Sequence, residues 1–414
     1  MNSKPNAQHL EGPPTQAVIL AGGRGTRLGS LTDTMPKPMV SFHGRPFLEY
    51  LIEMLRDQGF TRLVLLLGYL PEPIQSHFGD GSQLGIEIEY SVTDVENDTG
   101  LRLKLAMPML DPVFLMLYCD NYWPMRMDEM WQQFRHAGIP AMITAYSNDD
   151  SFTKDNLAVD DNGYVTMYDK TRTVEGLQGV DIGFALLDRS VIQDLPDGNV
   201  SFEAETYSKL AGDGRLQAFL THHRYYSVGN LDRLSVTEEF LTRRPTVLLD
   251  RDGVLNQKMP QARYVTSWSE WQWLPGSQEA LSLLNQAGYR TIIISNQPGV
   301  ARGAMTQNNL DEIHKRMLRD AQFAGGRIDG AYYCTHDWDE GCWCRKPNPG
   351  MLFQAQREHH LDLSRTIFFG DDERDGLAAK SAGCPWVQIT KGNSLLSATT
   401  KLLAQDHQLG HQPS

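Results

Sequence analysis

Several things are scarce or missing in this chain. No apolar run approaches the roughly 20 residues that a membrane-spanning helix needs, and the opening stretch MNSKPNAQHLEGPP has no apolar h-region. Neither a membrane partner nor a secretory signal is therefore expected. Cysteine is rare and odd in number, five in all, and three of the five fall between 334 and 344. That distribution argues against a disulfide framework. It fits a metal site in a reducing compartment, which points to the cytoplasm. Basic residues are outnumbered, 38 Lys and Arg against 51 Asp and Glu, for a net charge of −13. A surface that tracks nucleic-acid phosphates needs clustered Lys and Arg, so no nucleic-acid partner is expected. Small anionic substrates stay open, because local arginines can outweigh the global sign. No solenoid repeat or low-complexity tract is visible either. At 414 residues the chain is long for one domain, and two are expected.

Strand-like runs alternate with helical patterns in both halves, which predicts two parallel α/β sheets. Strands are expected at 16–20, 62–67, 86–90, 113–118 and 141–146, with an amphipathic helix over 47–55. After a helical stretch at 231–241, a boundary is expected near Thr242-Arg243-Arg244-Pro245, followed by strands at 246–249, 291–294, 330–333, 366–369 and 386–389. The division reads as a leader over 1–14, one domain over 15–243, a second over 244–405 and a frayed tail over 406–414.

The second half carries its chemistry in four segments, each just after an apolar run: Asp250-Arg251-Asp252-Gly253, Ser295-Asn296-Gln297, Arg345-Lys346-Pro347, and Gly370-Asp371-Asp372 with Asp375. Carboxylates at the carboxyl end of a buried strand sit where open α/β sheets bind ligands. The order and context of the four segments resemble the haloacid dehalogenase superfamily over about 160 residues, which implies a Rossmannoid phosphatase domain. In that frame Asp250 is the nucleophile that forms an aspartyl-phosphate. Asp252 protonates the leaving oxygen and then activates water. Ser295 donates to the phosphoryl oxygens, and Lys346 neutralises them. Asp250, the Asp252 backbone carbonyl and Asp371 surround Mg²⁺, an ion that favours oxygen ligands. Asp372 is expected beside that ion, and Asp375 in support.

Cys334-x-His336 and, five residues later, Cys342-x-Cys344 supply three thiolates and one imidazole, the ligand types and number of a closed structural zinc site. Arg345 and Lys346 follow at once, so zinc here would fix the loop of the catalytic lysine. With LDRDGVLN at 249–256, SNQPGVARG at 295–303, YYCTH at 332–336 and CRKPNPGML at 344–352, this half resembles the heptose bisphosphate and histidinol phosphatases. The resemblance places Asn296, Gln297, Arg302 and Arg345 near the substrate. The short metal loop is closer to the histidinol type. Asp372 also stands where heptose phosphatases often carry lysine.

In the first half, a strand runs into Leu20-Ala21-Gly22-Gly23-Arg24-Gly25-Thr26-Arg27-Leu28, and Pro36-Lys37-Pro38 follows. Glycines let backbone amides approach a triphosphate, and the basic residues counter its charge. The pattern resembles sugar-1-phosphate nucleotidyltransferases over about 225 residues, implying a Rossmann-like, GT-A-like domain. There Gly22, Gly23, Gly25 and Thr26 bind the nucleotide, and Arg27 and Lys37 stabilise charge on its phosphates. By the same resemblance Asp120 holds Mg²⁺, Lys170 contacts the sugar phosphate and Glu203 the sugar. Three segments depart from the pattern. Cys119 precedes Asp120, the base-contacting loop reads Asn97-Asp98-Thr99-Gly100-Leu101, and Ser227-Val228-Gly229 stands where a second metal carboxylate is usual.

A phosphatase that leaves a sugar 1-phosphate would feed a transferase that consumes one, whereas a histidinol phosphatase has no such use. The leading expectation is therefore a bifunctional enzyme. It would remove the 7-phosphate of D-glycero-D-manno-heptose 1,7-bisphosphate and then activate the 1-phosphate, with GTP as donor, for a lipopolysaccharide, capsule or S-layer glycan. One alternative keeps the phosphatase and makes the first half a non-catalytic nucleotide-sugar-binding module. Another keeps both enzymes on a different phosphosugar. Self-association is left open.

Overall fold

The computed structural model describes residues 12–408. Most of the expected leader and tail thus lies outside the described residues. Contacts gather the chain into two units, Met1–Leu241 and Thr242–Ser414. No helix among the described residues is long and apolar enough to cross a membrane.

The first unit is built on seven strands: β1 Gln16–Ala21, β2 Arg62–Leu67, β3 Glu87–Val92, β4 Val113–Tyr118, β5 Ala141–Tyr146, β6 Val180–Asp188 and β7 Leu216–Thr221. Their order in the sheet is β7-β5-β6-β4-β1-β2-β3. β1 is buried along its whole length, with Ala17, Ile19 and Ala21 in one core layer and Val18 and Leu20 in the other. A strand covered on both faces reads as a continuous apolar run rather than an alternation. The helix Phe47–Asp57 buries Phe47, Leu48, Leu51, Ile52 and Leu55. Each such side chain contributes about 1.5–3 kcal/mol by leaving water.

The wholly parallel sheet expected here is corrected. β6 runs antiparallel to both of its neighbours, β4 and β5. The chain reaches it through a small ribbon, Leu157–Val159 with Val165–Tyr168, and no crossover helix lies between β5 and β6. Without such a crossover the returning strand pairs antiparallel.

The second unit has five strands, β8 Thr246–Leu249, β9 Arg290–Asn296, β10 Gly330–Cys334, β11 Ile367–Gly370 and β12 Trp386–Gln388. They lie in the order β10-β9-β8-β11-β12 and every pairing is parallel. The chain leaves the central β8 toward β9 on one side and returns to β11 on the other. This opens a crevice at the carboxyl ends, where Asp250, Ser295 and Asp371 emerge.

Candidate active sites

Asp250 follows the last residue of β8, and its backbone N–H donates to the Phe369 carbonyl at 2.9 Å. Lys346 Nζ lies 3.0 Å from Asp250 Oδ1 and 2.6 Å from Asp375 Oδ1, and it donates to the Ile294 carbonyl at 2.8 Å. Burial pushes the Asp250 carboxyl up to about 6, against the pull of Lys346. The lysine is held through its own backbone. Asn296 Nδ2 donates to the Lys346 carbonyl, and the Lys346 N–H donates to Asn296 Oδ1, each at 3.0 Å.

The Asp252 side chain turns toward Arg251 NH2 at 2.9 Å, Asn256 Nδ2 at 2.8 Å and Gln297 Nε2 at 2.6 Å. Burial acts to raise its pKa, but Arg251 and these hydrogen bonds outweigh that and leave it lowered. Gly253 has φ of 94°, and a Cβ there would stand 2.4 Å from Asp371 Oδ2. Only glycine fits the fourth place of Asp-x-Asp-Gly for both reasons.

Ligand atoms of Asp250, Asp371 and Asp375 lie within 4.8 Å of one another. Asp371 Oδ1 is buried without a hydrogen-bond partner, as suits a group set to bind a hard cation. Asp372, expected beside the magnesium, lines the cavity and shares Lys258 with Asp371, at 3.2 and 2.7 Å, and it is also the N-cap of helix Glu373–Ala382, in a capping box with Asp375. Its oxygens also receive Arg374 Nε at 2.8 Å and NH2 at 2.9 Å, and those bonds lower its pKa well below the carboxylate range.

A cavity of about 640 Å³ opens on this centre, lined by Asp252, Lys258, Arg263, Asn296, Arg345 and Arg374 among others. Asn296 and Arg345 thus face it. Gln297 is buried behind Asp252, where it orients that carboxylate. Arg302 is bound to Asp337 at 2.7 Å, lies 3.7 Å over the Trp338 ring and donates to the Tyr264 hydroxyl at 3.2 Å, directly behind these two residues of the cavity wall.

In the Cys-His loop, Cys334 Sγ is 3.6 Å from Cys342 Sγ and 3.7 Å from His336 Nδ1. Cys344 Sγ is 3.6 Å from Cys342 Sγ and 3.2 Å from His336 Nδ1. A tetrahedron with Zn–S bonds of about 2.3 Å has edges near 3.8 Å. The four donors therefore fit zinc in both type and spacing. Arg345 NH1 donates to the His336 carbonyl at 3.3 Å, which ties this loop to the cavity.

In the first unit, Asp120 follows β4 and is paired with Lys37, with Arg27 NH2 at 4.0 Å. Two cavities, of about 320 and 530 Å³, share Arg27, Tyr118 and Asp120 on their walls. The smaller adds Gly22, Gly23, Gly25, Thr26, Lys37 and Thr99. The larger adds Lys170, Glu203 and Ser227. Glu203 is almost fully buried and receives Lys170 Nζ at 3.1 Å and Ser201 Oγ at 2.8 Å.

Sequence reasoning missed Arg102. It is buried, and it donates to the carbonyls of Leu67, Gly22, Asp94 and Val95. It thereby ties the glycine loop to the segment beyond β3. A Cβ on Gly22 would stand 2.4 Å from this guanidinium. The only signal was its place two residues after Gly100 in the altered loop.

Asp181 was also missed. It lies on the larger cavity, accepting from the Gly183 N–H at 2.8 Å and the Tyr168 hydroxyl at 3.0 Å. Burial pushes its carboxyl up to about 6, above the ordinary value near 3.9. The folded protein then keeps a proton that the unfolded chain has released. The stability this group contributes is complete below about pH 4 and is lost as pH rises through 6. Asp181→Asn keeps an acceptor for Gly183 and cannot ionise. Its stability relative to wild type is expected to rise between pH 4 and 7 by up to about 3 kcal/mol, read as urea midpoints across that range. A difference that does not change with pH would show that Asp181 titrates normally.

A nucleotidyl transferase family model matches residues 16–178, and a haloacid dehalogenase-like hydrolase model matches residues 186–383. The chain is similar to the D-glycero-beta-D-manno-heptose-1,7-bisphosphate 7-phosphatase of Bordetella bronchiseptica, at 42% identity over 153 residues, which covers 36% of this chain and 84% of that protein. It is similar to the protein of the same name from Pseudomonas aeruginosa at 38% over 152 residues, covering 37% and 84%. The crystal structure of HddC from Yersinia pseudotuberculosis aligns at 26% identity over 55% of this chain and 100% of that one, with a TM-score of 0.49.

Proposed function

The chain belongs to the haloacid dehalogenase-like phosphatases through its second unit and joins to it a nucleotidyl transferase domain, and from that premise we propose that it hydrolyses the 7-phosphate of D-glycero-D-manno-heptose 1,7-bisphosphate and then converts the heptose 1-phosphate to a nucleoside diphosphate heptose, with GTP as donor. One observation carries the reading. The chain spans most of a curated heptose bisphosphate phosphatase at 42% identity, and its four acidic and basic segments meet at one crevice around Lys346.

In the phosphatase step, a carboxylate oxygen of Asp250 attacks phosphorus and the bond to the sugar oxygen breaks. Asp252, ionised in the free protein because its pKa is lowered, takes up a proton as the anionic substrate binds and gives it to that oxygen. Asp252 then takes a proton from water, whose oxygen attacks the aspartyl-phosphate. Phosphate leaves and Asp250 is regenerated. Lys346 balances charge on the phosphoryl oxygens throughout. Asp250, Asp371 and Asp375 are suited to hold Mg²⁺, which when bound supplies further neutralisation of the phosphate. Cys334, His336, Cys342 and Cys344 are suited to zinc, whose part is to keep the loop of Arg345 and Lys346 in shape.

In the transferase step, an oxygen of the sugar phosphate attacks the α-phosphorus of the nucleotide and pyrophosphate departs. Asp120 lies at the seam between two cavities, as an in-line transfer between two bound reactants requires. It is also the residue suited to hold a divalent ion there. The free thiols are in keeping with a cytoplasmic enzyme.

The test is the synthetic bisphosphate with Mg²⁺ and each nucleoside triphosphate in turn, followed by mass spectrometry, on wild type and Asp120→Asn. Expected are heptose 1-phosphate from both proteins, GDP-heptose from the wild type alone, and one zinc per chain by metal analysis. Phosphate release without any sugar nucleotide from the wild type would favour the second reading, a non-catalytic binding module, for which Ser227 in place of a metal carboxylate speaks. No turnover of the bisphosphate would remove the heptose assignment.

A further inference from the structure

The cavity of about 530 Å³ beside Asp120 is lined by Arg27, Lys170, Arg172 and Arg233 as well as by Asp120, Asp181 and Glu203. Arg233 stands in the first turn of helix Leu231–Leu241. Its guanidinium lies 3.6 Å over the Phe152 ring, and NH2 donates to the Phe152 carbonyl at 2.8 Å. NH1 is buried without a hydrogen-bond partner. Arg172, on the same cavity wall, uses NH1 for the Thr153 hydroxyl at 3.2 Å and the Lys154 carbonyl at 2.8 Å. Among the described residues, neither arginine has a carboxylate at ion-pair distance.

The neighbouring cations are already engaged. Arg224, also over the Phe152 ring, is paired with Asp150. Lys170 is held by Ser201 and Glu203. Burial lowers the pKa of Arg233, with Arg224 and Arg172 adding to the fall and Tyr225 and Asp150 opposing it. Four cationic side chains on this wall face three carboxylates.

Ser227 completes the picture. Its hydroxyl accepts from the Gly229 N–H at 2.9 Å. A Cβ on Gly229 would stand 3.0 Å from that hydroxyl and 3.9 Å from both Asp120 Oδ2 and Arg27 NH2. Ser227 and Asp120 therefore face one small volume. A carboxylate at 227 would add an anionic ligand for a divalent ion. The serine adds none, and the next helix brings the guanidinium of Arg233 to the same cavity.

We propose that Arg233, with Arg172 beside it, binds the phosphate of the sugar 1-phosphate, a fixed guanidinium taking the charge-neutralising part that a second carboxylate-held metal ion would otherwise play. The proposal rests on the nucleotidyl-transfer reading given above. A planar guanidinium with an unused N–H, set against an aromatic face, suits a phosphate oxygen by geometry as well as by charge. It follows that the sugar phosphate is captured without metal, and that Mg²⁺ matters on the nucleotide side of Asp120.

The test is calorimetric titration of the full chain with D-glycero-D-manno-heptose 1-phosphate, with and without Mg²⁺, on wild type, Arg233→Met and Ser227→Asp. Wild type is expected to bind without Mg²⁺ and Arg233→Met at least tenfold more weakly. Heat that remains in Arg233→Met belongs to the phosphatase unit. In sugar-nucleotide formation the variant raises the KM for the sugar phosphate and leaves the KM for the nucleotide. Ser227→Asp, which adds a carboxylate to the cavity that Arg233 lines, weakens metal-free binding and recovers it with Mg²⁺. If Arg233→Met does not fold, Ser227→Asp carries the same test.

Wild-type binding only when Mg²⁺ is present, or wild-type affinity in both variants, overturns the proposal. The transferase reading fails on a separate result, the absence of sugar nucleotide from the wild type whatever the titrations give.

Discussion

Asp250→Asn is expected to cut phosphate release from the sugar bisphosphate by on the order of 10⁴-fold or more, the scale seen when a covalent nucleophile is removed. The amide has nearly the same shape, so the crevice keeps its form. Its oxygen carries no full charge, however, and cannot form a stable phosphoryl ester. Lys346 retains Asp375 at 2.6 Å, so it is not left as an unpaired buried charge, and only a small change in melting temperature should follow. The first unit contains none of these residues. The variant should still turn heptose 1-phosphate, supplied directly, into sugar nucleotide at the wild-type rate. That contrast separates loss of one active site from loss of the fold. If more than a few per cent of phosphate release survives, Asp250 is not the nucleophile. The carboxylate to try next is Asp252, which faces the cavity.

How much of this could be read from the chain depended on how local each signal is. Asp-x-Asp-Gly after an apolar run states its own geometry: β8 delivers the first acid to the sheet edge, and Gly253 admits Asp371 against the backbone. The Cys-His cluster was legible because all four donors come from eleven consecutive residues. Helix capping hid the roles of Asp372 and Asp375. Both follow a strand, and spacing alone does not say which acid caps the helix and which turns toward Lys346. β6 escaped because its direction depends on the path of the ribbon before it and its register shifts between Asp181 and Ala185. Arg102 and Arg233 were illegible for a different reason. Each acts on partners that only the fold brings close: Arg102 on Gly22, 80 positions away, and Arg233 on Phe152, 81 positions away.

Lys346→Met is expected to destabilise the second unit by about 3–5 kcal/mol, because removing one partner of a buried ion pair strands the other. The side chain of Lys346 is 2% exposed and those of its partners Asp375 and Asp250 only 1% and 11%. Methionine fills much of the same volume, so lost packing accounts for little of the cost. The rest comes from two carboxylates facing each other with no cation between them. One of them must then hold a proton, since like charges at close range cannot both ionise. For a unit of this size each kcal/mol moves the melting temperature by roughly 2–4 °C, so a fall of about 6–20 °C in the second unit's transition is expected, alongside loss of phosphatase turnover. Adding Asp375→Asn to Lys346→Met should restore much of the stability, by removing one stranded charge, and none of the activity. This double-mutant comparison reads the coupling of the pair directly. A single variant that melts with the wild type would show that Asp250 and Asp375 do not depend on the lysine for their charge. Lys346 would then act on the bound phosphate alone.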